Sequence, residues 1–341
     1  MFNKNVYKYD DMKRREHMAV RQNIGWYLWT HQLLEVTGTQ AMDFLDFIFP
    51  NPIANLKSGR ERYTVMLDEN AEIIDDVVIM HMEENRFWIS TLFLRDMTLW
   101  FEKYKKNYDV TYRDVTGQYH MYAVQGPNAT EMVNRIVDND ISNLKFFSFM
   151  ENSIGNIPVI VNRAGFTGEK FGYEIYIAAD KVNYLEEKLR STAAEMGAVE
   201  VTEFQVMTGT LPTEAGFYYM RDLRHCNPLE VGLDKNINWE KDFIGKDALL
   251  KIKETGAKRE MVGFMLESEV DVRINGKDQG GAGSAVFIGQ EEIGRVSKFN
   301  YSYIHEKPVG YILASKNTLK KGMHVAINKL YDAVITEKVF L

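Results

Sequence analysis

The sequence has few of the features that mark secreted, membrane and nucleic-acid-binding proteins. Its 341 residues include a single cysteine, Cys226, which excludes an intramolecular disulfide and a cysteine-based metal cage. It has no run of about 18 apolar residues, as a membrane-spanning helix needs, and its N-terminal segment lacks the apolar stretch of a signal peptide. The net charge of -7 comes without the clustered Lys and Arg that phosphate binding requires. We therefore expect a cytoplasmic protein with neither nucleic acid nor a membrane as its partner.

What remains is the composition of a folded globular protein. Hydrophobic residues make up 45% and charged residues 26%, close to the averages of soluble domains, so a disordered chain is excluded. The length predicts two or three packed units with apolar cores. Short β-rich segments, such as 62–67 and 86–91, alternate with segments of helical spacing around Ala41 and Leu185. The pattern predicts an α+β fold.

A change of composition predicts a second domain. Beyond about Lys258 the chain becomes Gly-rich and then strand-rich to its end, which is typical of a small all-β domain, most simply a barrel. We predict an α+β region over residues 1–250 and a β-barrel domain over residues 251–341. The seam between two such units is a natural place for a ligand.

Two adjacent carboxylates, Asp75 and Asp76, lie within an apolar segment that is predicted to be a strand. Neighbours in a strand point to opposite faces, so each carboxylate projects among apolar residues. An ionised carboxylate is costly to bury unpaired, and each must find hydrogen bonds, a cation or a ligand. Pairing with Arg60 or Arg62 is the structural alternative to a binding role, and the sequence leaves both open.

The segment NRAGFTGEKFGYEIYI has the next clearest signal. Its glycines, Gly165, Gly168 and Gly172, indicate tight turns before a strand that carries Glu174 and Tyr176 on one face. That face could form the wall of a site for a flat ligand, or it could be a solvent-facing strand end. The glycine spacing matches neither a dinucleotide-binding motif nor a P-loop.

Taken together, five segments resemble the glycine-cleavage T-protein family of folate-dependent aminomethyltransferases. They occur in the family's order and approximate spacing and cover nearly the whole chain. The segments are REHMAVRQNIG, ERYTVMLDENAEIIDDVVI, AVQGPNA, NRAGFTGEKFGYEIYI and NPLEVGLDKNINWEKDFIGKDAL.

The resemblance implies a three-part molecule around a central hole, with two α+β parts that bind tetrahydrofolate and a C-terminal Greek-key-like β-barrel. By matched motif it implies that Asp76 is the catalytic aspartate, that Tyr63 lies at the pterin, and that Glu174 holds it. The chemistry of Glu174 agrees, because the pterin N3–H and 2-amino group are two parallel donors that a carboxylate accepts together. Phe166 stands where the family has tyrosine, which keeps the ring and loses its hydroxyl.

Two segments depart from the family pattern. In GWYLWTHQL, Leu28 stands at the family's acidic position, and Thr30 and His31 stand at its Ser-His pair. In GTLPTEAGFYYM the family's arginine is missing, and Thr210 or Thr213 takes its place, depending on the alignment.

Aromatic residues replace those polar groups. Trp26, Trp29 and Tyr219 are predicted to hold a bulky apolar or cationic donor, and ordinary burial in a core is the alternative. His31 or one of two tyrosines, Tyr218 or Tyr219, is the predicted source of the proton that the leaving group takes up.

These features predict transfer of a methyl group from an O-, S- or N-methyl donor to N5 of tetrahydrofolate, with Asp76 positioning or deprotonating the acceptor. An aminomethyltransferase of the glycine-cleavage type and a non-catalytic folate-binding protein are the alternatives. The expected partner is a small-molecule methyl or aminomethyl donor, and a carrier protein is a less expected one. The histidines have no metal-ligand spacing, so no metal site is predicted.

Overall fold

A computed structural model describes residues 8, 10–29, 31–267 and 281–341 of the chain. Thr30 and the first half of the Gly-rich segment GKDQGGAGSA, which follows the predicted domain boundary, lie outside the described residues. None of the helices in the described ranges is both long and apolar enough to cross a membrane.

The first two thirds of the described chain form one mixed sheet of eleven strands with helices packed on it, as the α+β pattern predicts. The strands follow the order β11-β1-β7-β10-β9-β8-β3-β4-β5-β2-β6 across the sheet. They are β1 Gly25–Trp29, β2 Gln32–Thr37, β3 Arg60–Leu67, β4 Ile73–Glu83, β5 Arg86–Thr91, β6 Thr111–Asp114, β7 Tyr119–Gln125, β8 Ser148–Ile154, β9 Ile157–Arg163, β10 Gly172–Ala178 and β11 Val199–Glu200. The helices are α1 Asp11–Gln22, α2 Ala41–Ile48, α3 Leu94–Tyr104, α4 Ala129–Ile136, α5 Val182–Met196, α6 Leu211–Glu214, α7 Met220–Leu223, α8 Pro228–Val231 and α9 Lys246–Thr255.

The helices divide this region into two α+β parts, each with its own apolar core. In one part, α4 and α5 pack on β1, β7 and β10, and Trp26, Tyr122 and Leu185 are buried between them. In the other, α2 and α3 pack on the strands around β4 and β5, and Phe44 and Phe101 meet edge to face at 5.2 Å. Both cores arise because the apolar residues of each helix recur on one side. The two-part expectation is confirmed.

The C-terminal part is a closed barrel formed, within the described ranges, by six antiparallel strands. Around the barrel they follow the non-sequential order β12-β15-β14-β13-β16-β17, as expected of a Greek-key-like barrel. They are β12 Arg259–Leu266, β13 Ala285–Ile288, β14 Glu291–Ser302, β15 Lys307–Ser315, β16 His324–Ile327 and β17 Tyr331–Thr336. Helix α9 spans position 250, and the barrel strands begin at Arg259. The predicted domain boundary after residue 250 stays a prediction.

A buried polar network joins the N-terminal helix to the barrel. The carboxylate of Glu214 on α6 lies 2.9 Å from His17 Nε2 and accepts hydrogen bonds from Arg21 Nε at 2.9 Å and from the Ser302 hydroxyl at 2.6 Å. Glu214 and His17 have no solvent exposure. Because removal of one partner would leave another charge or dipole buried and unpaired, the network fixes the position of α6, which leads directly into the site.

Candidate functional site

Two adjoining cavities lie where the two α+β parts meet the segment that follows α6. The inner cavity, of about 120 Å³, is lined by Tyr27, Trp29, His31, Glu174 and Tyr219 among others. The outer cavity, of about 720 Å³, is lined by residues that include Arg60, Arg62, Phe147 and Lys338. The two share a boundary formed by Tyr63, Asp76, Gly165, Phe166, Phe217 and Tyr218.

Asp75 and Asp76 have different surroundings because β4 points them to opposite faces. Asp75 is 1% exposed, and its carboxylate accepts hydrogen bonds from the Thr91 hydroxyl at 2.6 Å and from the Asp76 N–H at 2.9 Å. Asp76 lines both cavities and accepts a hydrogen bond from the Tyr63 hydroxyl at 3.1 Å. Arg60 and Arg62, the alternative partners suggested by the sequence, form hydrogen bonds with other residues. Arg60 donates to Ser148 and Arg62 donates to Asn55.

The surroundings of Asp76 bring the pKa of its carboxyl group close to neutral pH. Burial raises the pKa of Asp76 to about 6, although the hydrogen bond from Tyr63 opposes that rise. A carboxylate with this pKa is mostly ionised at pH 7 and can still take up a proton, which is the property of a general base.

Glu174 lies on the opposite wall of the inner cavity, in a row of residues that crosses four strands. Pairing in the sheet sets Tyr27 against Ala123, Ala123 against Glu174 and Glu174 against Asn162. The small Ala123 leaves room between its two larger neighbours. Oε2 of Glu174 accepts hydrogen bonds from Asn162 Nδ2 at 3.0 Å and from the Tyr176 hydroxyl at 3.3 Å.

A second carboxylate, Glu61, shares the amide of Asn162 and was not predicted from the sequence. Asn162 Nδ2 donates to Oε2 of Glu61 at 2.7 Å, and Glu61 is 4% exposed. Burial raises the pKa of Glu174 to about 7, while burial and then the charge of Glu174 raise that of Glu61 well above its usual range. The pair therefore holds a proton near neutral pH. Strand alternation from Tyr63 would have placed Glu61 on the face of the site.

The Gly-containing segment brings Phe166 to the boundary between the cavities. Gly165 lies against the side chain of Gln125, and a Cβ there would come within 2.1 Å of Gln125 Oε1, so any larger residue would have to displace Gln125. Gln125 in turn binds the Ala164 carbonyl at 3.1 Å and accepts from the Thr167 hydroxyl at 2.9 Å. The Phe166 ring lies 6.1 Å from that of Tyr63 and 5.8 Å from that of Phe217.

The aromatic residues of β1 divide between the site and the core, which corrects one expectation. Trp29 and Tyr27 both line the inner cavity. Trp26 is 1% exposed and packs in the core beneath α4 and α5, outside both cavities. Residues two apart in a strand share a face, so Tyr27 and Trp29 belong together and Trp26 faces the other way.

The predicted proton donors lie at the site, and their environments do not favour that role. Burial lowers the pKa of His31 to about 4, so the imidazole is neutral at pH 7 and stacks on the Tyr176 ring at 5.8 Å. The Tyr218 hydroxyl donates to the Val231 carbonyl at 2.8 Å and accepts from Lys338. Tyr219 also lines the inner cavity, and its role as a donor contact stays a prediction.

Comparison with known proteins agrees with this architecture. The family model described as the GCVT N-terminal domain matches residues 2–241. The chain is 29% identical over 340 residues to an aminomethyltransferase of Thermotoga petrophila, a match that covers 95% of this chain and 88% of the relative. It is 32% identical over 336 residues to an aminomethyltransferase of Thermoanaerobacter sp. X514, with the same coverage of both chains.

A solved structure has the same fold. The crystal structure of the glycine cleavage system aminomethyltransferase T from Bartonella henselae superposes with a TM-score of 0.84 at 23% identity and covers 96% of this chain and 89% of that one. The family match over more than half of the chain, and the long alignments with curated relatives, bear out the resemblance in the motifs. The chain therefore belongs to the GCVT family of folate-dependent one-carbon transferases, the family of the glycine-cleavage aminomethyltransferases.

Proposed function

We propose that this protein transfers a one-carbon unit to tetrahydrofolate in the inner cavity and that an aminomethyl compound is its donor. One observation carries the proposal: two carboxylates with raised pKa values, Asp76 and Glu174, come from separate strands to line one small, ring-walled cavity. Raised pKa values in a concave site are typical of acid–base and binding roles.

The side chains present fit a pterin. Glu174 keeps one oxygen, Oε1, without a hydrogen bond from the described residues, and it lines the cavity. A carboxylate there would accept the N3–H and the 2-amino group of the pterin as a bidentate pair. The rings of Tyr63 and Phe166 stand at the boundary of the same cavity, where a flat heterocycle would lie against them.

Asp76 would handle the proton of the reaction. When bound, tetrahydrofolate supplies a nucleophilic amine as the one-carbon acceptor. With a pKa of about 6, Asp76 would be ionised at pH 7 and ready to accept the proton that this amine loses. The Tyr63 hydroxyl would hold the carboxylate in place for that transfer.

The choice of an aminomethyl donor follows from the relatives and the cavities. The relatives of this chain are named aminomethyltransferases. Their names support aminomethyl transfer, the alternative in the sequence analysis, over the methyl transfer that was predicted first. The outer cavity adjoins the site at Asp76 and would give a long donor arm, free or carried by a protein, a route to it. An S-aminomethyl donor would pass its methylene carbon to N5 and N10 of the folate. Its C–S and C–N bonds would break, and the two N–H protons of the folate would end on the ammonia and the thiol that are released.

Methyl transfer stays as a second candidate because of the aromatic lining of the inner cavity. Tyr27, Trp29, Phe217 and Tyr219 form an apolar surface that would suit a methylated aromatic or cationic donor. Leu28 stands where the family has an acidic residue, so this chain has an apolar, 42% exposed side chain in place of a carboxylate at that position.

Mass spectrometry of the folate product would decide between the candidates. The purified protein would be incubated with tetrahydrofolate and either an aminomethylated dithiol or a panel of methylated ethers, sulfonium compounds and amines. The proposal expects methylene-tetrahydrofolate with the dithiol only, and loss of turnover in Asp76→Asn. If a methyl donor yields methyl-tetrahydrofolate, methyl transfer replaces the proposal. If none of the donors yields a product, both candidates are contradicted.

A further inference from the structure

Lys298 is a buried cation behind the site that the proposed chemistry does not use. It lies on barrel strand β14 and has no solvent exposure. Its Nζ donates to the Phe217 carbonyl at 2.8 Å and lies 3.3 Å from Oδ2 of Asp222, which is 2% exposed. A buried ion pair of this kind often stabilises a fold no better than apolar residues of the same volume, so packing alone does not account for it.

Two rings complete the surroundings of the ammonium group. Nζ lies 4.6 Å from the centre of the Tyr219 ring and 5.5 Å from that of Tyr311. Cations at these distances are attracted by the negative faces of aromatic rings. The Tyr311 hydroxyl, which donates to the Thr213 carbonyl at 2.9 Å, also lies 3.2 Å from the Phe217 carbonyl. The barrel thus presents a cation and a hydroxyl to one backbone carbonyl of the site.

The contacts of Lys298 converge on residues 217–219, which we call the wall segment. All three residues line the inner cavity. Lys298 binds the first of them directly at its carbonyl, and it reaches the last through Asp222, whose Oδ2 accepts the Tyr219 N–H at 2.8 Å. Oδ1 of Asp222 is buried and accepts no hydrogen bond from the residues described. Lys298 is therefore the fully buried cation that neutralises Asp222 at Oδ2, while the half-exposed Arg221 lies 3.8 Å from Oδ1.

We propose that Lys298 is a positioning residue for the one-carbon transfer: it holds the wall segment against the inner cavity and places a positive charge behind Asp76. The proposal rests on the proposed function for its kinetic part. The titratable and charged groups that act on Asp76 are Tyr63 on β3, Asp222 on α7 and Lys298 on β14, and the adjacent Asp75 on β4 interacts with it by charge. After burial and the Tyr63 hydrogen bond, Asp222 raises the pKa of Asp76 and Lys298 lowers it. Lys298 thus favours the ionised form that accepts a proton.

Substitution of Lys298 by methionine, alone and together with Asp222→Asn, tests the proposal. In Lys298→Met we expect the KM for the donor to rise about tenfold, because the wall segment loses its anchor, and the acidic limb of kcat/KM to move to higher pH. Affinity for tetrahydrofolate should change less than about threefold, since the Glu174 wall is untouched. The double variant removes both charges, so its acidic limb should return towards that of the wild type while its KM stays raised.

Hydrogen exchange gives a readout that needs no substrate. Amides of the wall segment should exchange faster in both variants than in the wild type, while amides of β10 should not change. If Lys298→Met does not fold, the double variant, which leaves no charge unpaired, decides the question. A folded variant with unchanged donor KM, unchanged acidic limb and unchanged exchange in the wall segment would overturn the proposal. If the wild type binds no folate but exchange still quickens in the variants, the proposed function fails and the anchoring role of Lys298 stands.

Discussion

Replacement of Asp76 by asparagine, with Asp75→Asn as its matched control, separates a catalytic carboxylate from a structural one on the same strand. Asparagine keeps an oxygen that can accept from the Tyr63 hydroxyl, so Asp76→Asn should fold and melt close to the wild type. It removes the only charge of that side chain. We expect turnover to fall at least about a hundredfold, or about 2.7 kcal/mol of barrier, with folate affinity within severalfold of the wild type.

The pH dependence sharpens this prediction. Because the pKa of Asp76 is about 6, kcat/KM of the wild type should fall below pH 6, where the carboxylate is protonated, and Asp76→Asn should lack that limb. Asp75→Asn should keep the limb and turn over within a few-fold of the wild type, because Asp75 faces Thr91 and not the cavity.

Asp75 should act on stability instead. Burial raises its pKa from 3.8 to about 7, so the folded protein binds this proton more tightly than the unfolded chain does. The resulting stabilisation is complete below pH 3.8 and is lost as the pH rises through about 7. Melting curves across this interval should therefore be less pH-dependent for Asp75→Asn than for the wild type. If the two variants exchange phenotypes, so that Asp75→Asn loses turnover and Asp76→Asn only stability, the assignment of faces on β4 is wrong.

Two further substitutions test the walls of the site. Glu174→Gln should weaken tetrahydrofolate binding by about 1.5–3 kcal/mol, the range for a hydrogen bond to a charged group, and calorimetry that shows unchanged affinity in a folded variant would remove Glu174 from the pterin site. Trp29→Ala should raise the donor KM without a change in folate affinity, because Trp29 lines the inner cavity but pairs with Met121, outside the row that contains Glu174. A normal donor KM would show that Trp29 does not contact the donor. Its matched control, Trp26→Ala, should lower the free energy of unfolding by about 3–5 kcal/mol, measured by denaturant titration, and leave the donor KM of the folded fraction as it was.

The residues that the sequence identified are those whose local pattern is unusual. Asp76 stood out because a strand otherwise apolar contained a carboxylate on each face, and Glu174 because it followed a glycine-rich turn at the start of a strand. The barrel was predictable from the change in composition near Lys258. Residues two apart in a strand share a face, and this rule would also have separated Trp26 from Tyr27 and Trp29. The prediction instead grouped the aromatic residues by their proximity in the sequence.

The remaining residues depend on contacts that no local pattern contains. Strand alternation places Glu61 on the face of the site, but its partnership with Glu174 does not follow from the sequence, because it depends on Asn162, on β9, which donates to both carboxylates. A lysine in a barrel strand predicts a solvated side chain, and Lys298 is buried because the barrel packs against the segment after α6. The role expected of His31 depended on its pKa, which burial lowers to about 4.

A crystal structure of the protein with tetrahydrofolate would test the central claim most directly. The account predicts the pterin in the inner cavity, with N3 and the 2-amino group within hydrogen-bonding distance of Glu174 and with N5 on the side of Asp76. Tetrahydrofolate bound with its pterin elsewhere, for example in the outer cavity, while Glu174 and Asp76 make no contact with it, would contradict the account.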